Sequence, residues 1–174
     1  MTVLRTKRLT LRRFMQTDDR ALARVFADPE VMRFGDGVRS SEWIRDWIER
    51  CLHDYQERGW GPFAVIENAS GNLIGYCGLF HIPDINGRPE IEIGYRFARE
   101  SWGRGYATEA VLAVREFAFR SLGLTRLIAM IDPDNTASIR VAEKAGMRYE
   151  QDVILQGYTH PDRVYAISQV GVGV

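Results

Sequence analysis

The stretch of sequence that decides the fold spans residues 90 to 110 and reads EIEIGYRFARESWGRGYATEA. Its first part alternates apolar side chains, from Ile91 to Phe97, with glutamate, glycine and arginine, which is the period of a β-strand. From Ala110 to Leu122, apolar residues recur every three or four positions, which is the period of a helix. Gly103 and Gly105 lie between the two patterns. The stretch therefore predicts a strand that leads through a glycine loop into the N-terminus of a helix.

The predicted loop has the properties of an anion-binding site. Glycines allow consecutive backbone N–H groups to point at one spot, and the helix dipole adds roughly half a positive charge there. Phosphate groups bind at such helix N-termini. An ordinary flexible turn between strand and helix is the alternative that the glycines alone leave open.

Two nucleotide-binding motifs do not fit this loop. A dinucleotide-binding Gly-x-Gly-x-x-Gly motif requires a third glycine where Thr108 stands, and an acidic residue about 20 positions later. A Walker loop requires Gly-Lys followed by Ser or Thr, which is absent from the sequence. The sequence therefore predicts a phosphate cradle of another kind.

The composition is that of a globular protein with one domain. The chain has 174 residues, of which 45% are hydrophobic and 26% are charged, and this length suits a single domain over residues 1–174. Lysine and arginine total 23, as do aspartate and glutamate. This balance argues against a dedicated nucleic-acid-binding protein. It leaves room for a local basic cradle.

The sequence also gives expectations about compartment and partners. Cys51 and Cys77 form no disulfide framework or metal spacing, and the N-terminus lacks the pattern of a signal peptide. No apolar run approaches the length of about 18 residues that a spanning helix needs. We therefore expect a soluble cytoplasmic protein without a membrane partner, as a monomer or a homodimer.

The other patterns predict a mixed α/β sheet with interspersed helices. Before the central strand they indicate a strand or strand pair over residues 3 to 13, a helix from Thr17-Asp18-Asp19 to about Asp28, and a helix from Ser40-Ser41 to Gly59. A hairpin of residues 63 to 67 and 73 to 80 and a loop over residues 82 to 89 follow. After the central strand and helix they indicate a strand over residues 126 to 131, a helix from Asp132-Pro133-Asp134-Asn135 to Ala145, and a closing hairpin of residues 151 to 155 and 164 to 170. The loop of residues 82 to 89 borders the central strand and is a candidate contact for a substrate, or else an ordinary solvent loop.

One family carries a similar glycine motif. Trp102-Gly103-Arg104-Gly105-Tyr106-Ala107 resembles the Gln/Arg-x-x-Gly-x-Gly/Ala signature of the GNAT N-acetyltransferase superfamily, with Trp102 in place of the first Gln or Arg. The similarity continues through Thr108-Glu109-Ala110. Glu92-Ile93-Gly94-Tyr95, Asn135-x-x-Ser138 and Glu143-Lys144-x-Gly146 resemble its Rim-type branch, which acetylates N-termini of ribosomal proteins. The match extends from Leu4 nearly to the C-terminus.

The resemblance implies the GNAT fold, with a mixed, mostly antiparallel sheet of about seven strands and helices on both faces. It implies acetyl-CoA as cofactor, and it assigns the binding residues by position. The pyrophosphate would lie over the amides of Trp102, Gly103, Arg104, Gly105, Tyr106, Ala107 and Thr108, with the Arg104 side chain on the phosphates. Backbone groups of Tyr95 and Phe97, freed by a splayed strand, and the side chains of Asn135 and Ser138 would hold the pantetheine arm. For Asn135 an ordinary N-cap role is equally compatible, because its amide has two donors and an acceptor.

Acyl transfer to an amine requires a neutral nucleophile and a donor for the developing oxyanion. An α-amine with a pKa near 8 costs roughly 1.4 kcal/mol to neutralise at pH 7, and a lysine near 10.4 costs roughly 4.6 kcal/mol. An N-terminal acceptor therefore needs only a modest base. Glu92, on the central strand, is the first candidate for that base, and Glu90, two residues away on the same face, is the alternate. A backbone N–H between Ile93 and Tyr95 is the expected oxyanion donor.

The chain departs from the wider family at the proton donor. Many GNAT enzymes have a tyrosine seven residues after the asparagine, and this chain has Ala142. Ser138, or water held by it, is the substitute candidate for protonating the leaving sulfur. His53, His81, His160 and Cys77 show no ligand spacing, so we expect neither a metal nor a covalent acyl-enzyme.

These observations predict a single-domain N-acetyltransferase that works by direct attack in a ternary complex. The favoured acceptor is an N-terminal α-amine of a protein. A small-molecule amine, such as a polyamine, an antibiotic or a toxin, is the second possibility, and an acidic acceptor pocket would favour it. A non-catalytic acyl-CoA-binding regulatory module is the third.

Overall fold

The computed structural model of the chain describes residues 2–169. Met1 and residues 170–174, which include Val170 at the predicted end of the closing hairpin, lie outside this range. The strands are β1 (Thr2–Arg5), β2 (Leu9–Arg12), β3 (Pro62–Glu67), β4 (Leu73–Ile85), β5 (Arg88–Phe97), β6 (Arg126–Ile131), β7 (Arg148–Val153) and β8 (Asp162–Ser168). The helices are α1 (Asp19–Phe26), α2 (Ser41–Glu57), α3 (Tyr106–Arg120) and α4 (Thr136–Lys144), with 3₁₀ turns at Gln16–Asp18 and Arg99–Ser101.

The strands form one sheet in the order β1-β2-β3-β4-β5-β6-β8-β7. Every neighbouring pair is antiparallel except β5 and β6, which are parallel. The prediction of a mixed, mostly antiparallel sheet is confirmed. The described residues contain eight strands rather than about seven, because the stretch predicted as a strand or strand pair, residues 3 to 13, forms the pair β1 and β2.

Helices cover both faces of the sheet, as predicted. On one face, Tyr76 of β4 packs against Phe26 of α1 and Trp47 of α2, with ring centroids 5.6 and 5.0 Å apart. On the other face, Phe63 of β3 meets Phe117 of α3 at 6.0 Å. Aromatic pairs at these separations add to the free energy of apolar burial. The two layers fix the central strands β4 and β5 between α1–α2 and α3.

The chain between residues 82 and 89 is not the loop that we predicted. β4 continues to Ile85, β5 begins at Arg88, and Asn86 and Gly87 make a two-residue turn with φ of 52° and 90°. Positive φ at both positions is the geometry of a type I′ hairpin. Pro83 is accommodated where the pairing register shifts, between Ile82 and Ile85. The tip of this hairpin packs through Ile85 on the β6–β8 side of the sheet.

The predicted helix boundaries agree closely with the structure. The Ser40 hydroxyl accepts the Trp43 N–H at 3.1 Å and begins α2. Gly59, shortly after α2, and Gly146, shortly after α4, have φ of 78° and 82°, which glycine adopts without strain. Within residues 2–169, none of the helices is both long and apolar enough to cross a membrane.

Candidate active site

The two parallel strands at the centre of the sheet separate along their length. β5 pairs with β4 from Arg88 to Phe97, but its pairing with β6 is limited to Glu92 opposite Ile128. Beyond Glu92 the backbones of β5 and β6 diverge, and a wedge opens between them. Because a strand's backbone groups point alternately to its two neighbours, half of the polar groups of β5 beyond Glu92 face this wedge.

Tyr95 and Phe97 supply the backbone groups that face the wedge. The Ala98 N–H donates to the Ile74 carbonyl of β4 at 2.8 Å. Because the backbone groups of alternate residues face the same neighbouring strand, the N–H and C=O groups of Phe97 and Tyr95 point away from β4. The Phe97 carbonyl accepts the indole N–H of Trp102 at 2.8 Å. The Tyr95 backbone and the Phe97 N–H therefore remain directed at the wedge, and Trp102, which is 48% exposed, lines the same cleft.

The glycine loop ends in a helix N-terminus without a side-chain cap. Gly105 is the N-cap of α3 and has a φ of 77°, and Gly103 has a φ of 70°. Both values lie in the left-handed region that glycine tolerates. With no side-chain acceptor at Gly105, the first amides of α3, from Tyr106 to Thr108, are available to an anion. The predicted cradle is thus present in the backbone.

Two side chains of the loop point away from the cradle. The Arg104 guanidinium pairs with Glu67 at 3.1 Å and lies over the Tyr106 ring at 4.8 Å. The Tyr106 hydroxyl donates to Glu67 as well. In this structure the Arg104 side chain is therefore directed at the Glu67 carboxylate of β3, and its contact with the phosphates stays a prediction. The backbone amides of both residues remain in the loop.

Glu92 lies where the strands part. Its carboxylate accepts the Met130 N–H of β6 at 3.3 Å, filling a place that strand pairing leaves open. Burial raises the pKa of Glu92 to about 7, the Met130 N–H lowers it, and the charges of Asp162 and Arg96 act in opposite directions. A carboxylate with a pKa near neutrality is suited to general base catalysis at physiological pH.

Glu90 has a different environment from Glu92. Its side chain is 5% exposed and is held by two arginines, Arg126 at 3.1 Å and Arg88 at 2.8 Å. It also lies outside the cleft into which Glu92 opens. A buried carboxylate with two cationic partners is a structural ion pair, so the structure gives no support to Glu90 as the alternate base.

Asn135 and Ser138 occupy the first turn of α4, beside the wedge. The Asn135 side-chain oxygen accepts the Ser138 N–H at 3.1 Å, so Asn135 is the N-cap of α4. Its amide N–H₂ group remains available to the cleft. The Ser138 carbonyl accepts the Tyr95 hydroxyl at 3.3 Å, which joins α4 to β5. Ala142 is 2% exposed and packs into the core.

These groups open on one cleft of about 980 Å³. Its lining includes the candidate residues Glu92, Tyr95, Phe97, Trp102, Gly103, Gly105, Tyr106, Ala107, Thr108, Asn135 and Ser138. The segment after α1 contributes Val31 and Phe34 to the lining. Of the residues predicted for the site, only Arg104 and the alternate Glu90 are absent from this lining.

The cleft also contains residues that sequence reasoning missed. Asp132 and Asp162 line it, and their carboxylates lie with the His160 ring so that potential ligand atoms are within 4.8 Å of one another. Burial raises the pKa of Asp162. Arg96 lines the α1–α2 side. No local motif marks these residues, because β5, β6 and β8 bring them together across long stretches of sequence.

Residues 8–148 match the sequence model of the Acetyltransferase (GNAT) domain family. This chain belongs to the GNAT acetyltransferase family. Among relatives of this GNAT protein, the uncharacterized N-acetyltransferase p20 of Bacillus licheniformis is 34% identical over 161 residues, which cover 91% of this chain and 88% of p20.

Solved GNAT structures superpose over nearly the whole chain. The GNAT-family acetyltransferase of Bacillus anthracis has a TM-score of 0.79 and 31% identity, and the alignment covers 97% of this chain and 98% of that protein. The ribosomal L7/L12 alpha-N-protein acetyltransferase RimL, solved in complex with coenzyme A, shares the fold with a TM-score of 0.80, 21% identity and coverage of 97% and 98%. The chain is therefore an N-acetyltransferase, and the non-catalytic alternative is set aside.

Acetyl-CoA is the cofactor of this GNAT protein, and the geometry of the cleft suits it. The uncapped N-terminus of α3 offers amides to a pyrophosphate, and the wedge offers the Tyr95 backbone to an amide-containing arm. Both features open on the same cleft as Glu92. A cation at the loop is not required for this fit, since the backbone itself supplies the donors.

Proposed function

We propose that this protein transfers the acetyl group of acetyl-CoA to the N-terminal α-amine of a protein or peptide. The observation that carries the proposal is the position of Glu92 at the point where β5 and β6 part, with a pKa raised to about 7. A base of that pKa is matched to an α-amine near 8 and poorly matched to a lysine near 10.4. The acceptor side of the cleft, under Val31 and Phe34, is where such an amine would enter.

The residues take the following roles in the proposal. The amides from Trp102 to Thr108 bind the pyrophosphate, and the Tyr95 carbonyl, the Phe97 N–H and the Asn135 amide bind the pantetheine arm. When bound, acetyl-CoA supplies an acetyl group activated as a thioester. Glu92 removes a proton from the amine nitrogen, directly or through water. The Tyr95 N–H donates to the carbonyl oxygen as negative charge develops on it, and Ser138, or water that it holds, protonates the departing sulfur.

An acidic region of the cleft supports a second candidate function. Asp132 and Asp162 lie on the β6–β8 side of Glu92, where carboxylates attract a second positive charge. A small molecule with two amines would complement this region. L-2,4-diaminobutyric acid acetyltransferase of Streptomyces coelicolor is 28% identical over 83% of this chain. The likeness to RimL supports the first candidate by fold alone.

An acceptor panel with labelled acetyl-CoA tests the proposal. The panel contains peptides with different N-terminal residues, the same peptides with a blocked N-terminus and one free lysine, and a set of di- and polyamines. At pH 7 we expect the free α-amine to be acetylated at least about a hundredfold faster than the blocked peptide, from the difference in amine pKa. A higher kcat/KM for a polyamine than for every peptide would replace the first candidate with the second.

A further inference from the structure

One face of β5 forms the floor of the acceptor side of the cleft. Arg96 lies opposite Tyr76, and Glu92 lies opposite Phe80, so these side chains share the face covered by α1 and α2. Gly94 stands between Glu92 and Arg96, and a Cβ at Gly94 would come within 2.8 Å of the Phe80 ring. The Phe80 ring therefore covers this short floor, with a carboxylate at one end and a guanidinium at the other.

Arg96 is the cation at the basic end, and it lacks a counter-ion. In the part of the chain that the structure describes, no carboxylate lies within 4.0 Å of its guanidinium, whereas Arg104 and Arg126 are both paired. Its Nη1 donates to the Met32 sulfur at 2.9 Å, and a thioether is a weak acceptor. A guanidinium has five donors, so most of those of Arg96 have no acceptor among residues 2–169.

The surrounding segment is shaped around this guanidinium. A Cβ at Gly35 would lie 2.5 Å from Nη2 of Arg96, so the absence of a side chain at Gly35 makes the space that the guanidinium occupies. Arg33, on the same segment, faces Glu30 at 3.8 Å and so has a carboxylate of its own. The unneutralised positive charge of this wall is therefore concentrated at Arg96.

The side of the cleft formed by β6 and β8 is acidic. Asp162 begins β8 and Asp132 follows β6, so both lie across the wedge from Arg96 of β5. Asp132 lies next to Asp162. A cationic amine is attracted to Glu92 and to the carboxylates of this side, and an anionic group is attracted to Arg96. The cleft is thus complementary to an acceptor with an amine at one end and a negative charge at the other.

We propose that Arg96 binds a carboxylate of the acceptor, so that the preferred acceptors are N-termini with an acidic residue near the α-amine. This inference rests on the proposed function. Glu92 and Arg96 are four strand residues apart, a separation of about 13 Å between their Cα atoms. Allowing for a hydrogen bond at each end, this leaves roughly two residues of extended peptide, at about 3.3 Å each, between the amine and the carboxylate. The carboxylate therefore belongs to an Asp or Glu at the second or third position of the peptide.

Matched peptides test the inference. Each pair differs only by Asp or Asn, placed at position 2, 3 or 6, and kcat/KM is measured at about pH 9, where Glu92 is ionised in every variant. For wild type we expect Asp to exceed Asn by about tenfold or more at position 2 or 3, the scale of a charge-assisted hydrogen bond, and to equal it at position 6. The difference should appear mainly in KM, since the contact is made before and during the reaction.

Variants of Arg96 identify the source of the preference. Arg96→Gln should bring the Asp-to-Asn ratio near one, Arg96→Lys should retain part of it, and Arg20→Gln, which changes an exposed arginine outside the cleft, should retain all of it. Thermal unfolding and calorimetry with coenzyme A show whether each variant is folded. If Arg96→Gln does not fold, the inference is tested by comparing the Asp-to-Asn ratio of wild type with that of Arg96→Lys.

Three results would overturn the inference. Peptides acetylated equally well with Asp and Asn at every position would remove it and leave the proposed function intact. A preference that persists in folded Arg96→Gln would assign the effect to another residue. Acetylation of no peptide at all would remove the proposed function and this inference with it.

Discussion

At the scale of single residues, Glu92 gains its basicity from the fold rather than from its own chemistry. The same side chain on an exposed strand would have a pKa near the ordinary value of 4.5. Its place between diverging strands removes water from the carboxylate and gives it a single backbone donor, the Met130 N–H. Glu90, two residues earlier, has two arginine partners instead. Two glutamates on one face of one strand are thus suited to different tasks.

Glu92→Gln preserves the size of the side chain and removes the base. At pH 7 we expect turnover to fall by roughly a hundredfold or more, the usual scale for a general base, with little change in coenzyme A affinity. The wild-type rate should rise with pH through the Glu92 pKa of about 7. In the variant, the rise in rate with pH should move toward the pKa of the amine. The loss of turnover relative to wild type should therefore shrink near pH 9. Steady-state rates across pH 5 to about 10 measure this.

A defect that is constant over this pH range would show instead that Glu92 positions the acceptor through its charge. Wild-type turnover in the variant would remove the base assignment altogether. Calorimetry with coenzyme A is the control for folding and for the cleft, because the cradle at Gly105 is separate from the Glu92 side chain.

The raised pKa of Glu92 also predicts how stability depends on pH. A folded pKa of about 7 lies above the ordinary value of 4.5, so the folded protein holds this proton more tightly than the unfolded chain does. The stabilisation from that proton is complete below pH 4.5 and is lost as pH rises to about 7. Glu92→Gln should therefore gain stability over wild type across this window, by at most about 3 kcal/mol, and less to the extent that solvent reaches the carboxylate. Urea unfolding at several pH values measures the difference in free energy of unfolding between the variant and wild type. A difference that stays constant with pH would contradict the raised pKa of Glu92.

Asn135 combines a cap with a predicted cofactor contact, and two substitutions separate them. Asn135→Ala removes the acceptor for the Ser138 N–H and should cost about 1 kcal/mol of stability. Asn135→Asp keeps an oxygen for the cap and loses both amide donors. If the amide binds the pantetheine arm, both variants should raise the KM for acetyl-CoA, and only the alanine variant should lose stability. A normal KM in Asn135→Asp would leave Asn135 as a cap alone.

At the scale of elements, the loop before α3 is anchored by side chains of the turn between β1 and β2. Arg8 donates to the Arg104 carbonyl at 2.8 Å and pairs with Glu109 of α3 at 2.6 Å, and the Thr6 hydroxyl also donates to Glu109 at 2.6 Å. The turn between β1 and β2 thus fixes both the loop and the first turn of α3. This anchoring keeps the amides of the cradle pointing in one direction before an anion arrives.

Substitutions at Gly105 test the cradle itself. Its φ of 77° means that any side chain adds strain, so Gly105→Gln is the matched control for Gly105→Glu. The two variants carry the same bulk and strain, and they differ by one negative charge against the proposed pyrophosphate position. Calorimetry should give weaker coenzyme A binding for Gly105→Glu than for Gly105→Gln, by about tenfold or more at low salt. Equal affinity of two folded variants would move the phosphate site elsewhere.

Local patterns were sufficient for the elements whose signals are local. The period-two run before Phe97, the period-3.6 run after Ala110 and the caps at Ser40 and Gly146 all predicted what the structure contains. The error at residues 82 to 89 came from treating the prolines as marks of a loop, although Asn86-Gly87 is itself a strong hairpin signal. Proline is tolerated where the strand pairing is irregular, and this depends on the partner strand.

The residues of the site also divide into those with a local sequence signal and those placed only by the fold. The cradle and Glu92 lie on one continuous stretch, so sequence patterns and family resemblance located them. Asp162 and Arg96 act on Glu92 from β8 and from the far end of β5, and only the strand order brings Asp162 near. The direction of the Arg104 side chain likewise depended on Glu67 of β3, 37 residues earlier in the chain.

At the scale of the whole molecule, the parting of β5 and β6 divides the sheet into two parts. Strands β1 to β5 form one part, and β6, β8 and β7 form the other. Direct pairing between them is limited to Glu92 and Ile128, with support from the apolar cluster around Ile85, Ile128, Val153 and Val164. A ligand that enters the wedge can donate to and accept from both edges, so its binding should join the two parts more firmly.

This division predicts how coenzyme A changes the stability of the protein. At a free concentration about 100 times its dissociation constant, a ligand specific to the folded state adds about 2.7 kcal/mol, which corresponds to a rise in Tm of roughly 5 to 10 °C for a chain of this size. Gly105→Glu should show a smaller rise at the same concentration than Gly105→Gln. Hydrogen exchange should slow in β6 and α4 as well as in β5 and α3, because the proposed site has walls in both parts of the sheet. Slower exchange limited to β5 and α3 would mean that the ligand binds the loop without entering the wedge, and the roles proposed for Asn135 and Ser138 would then fail.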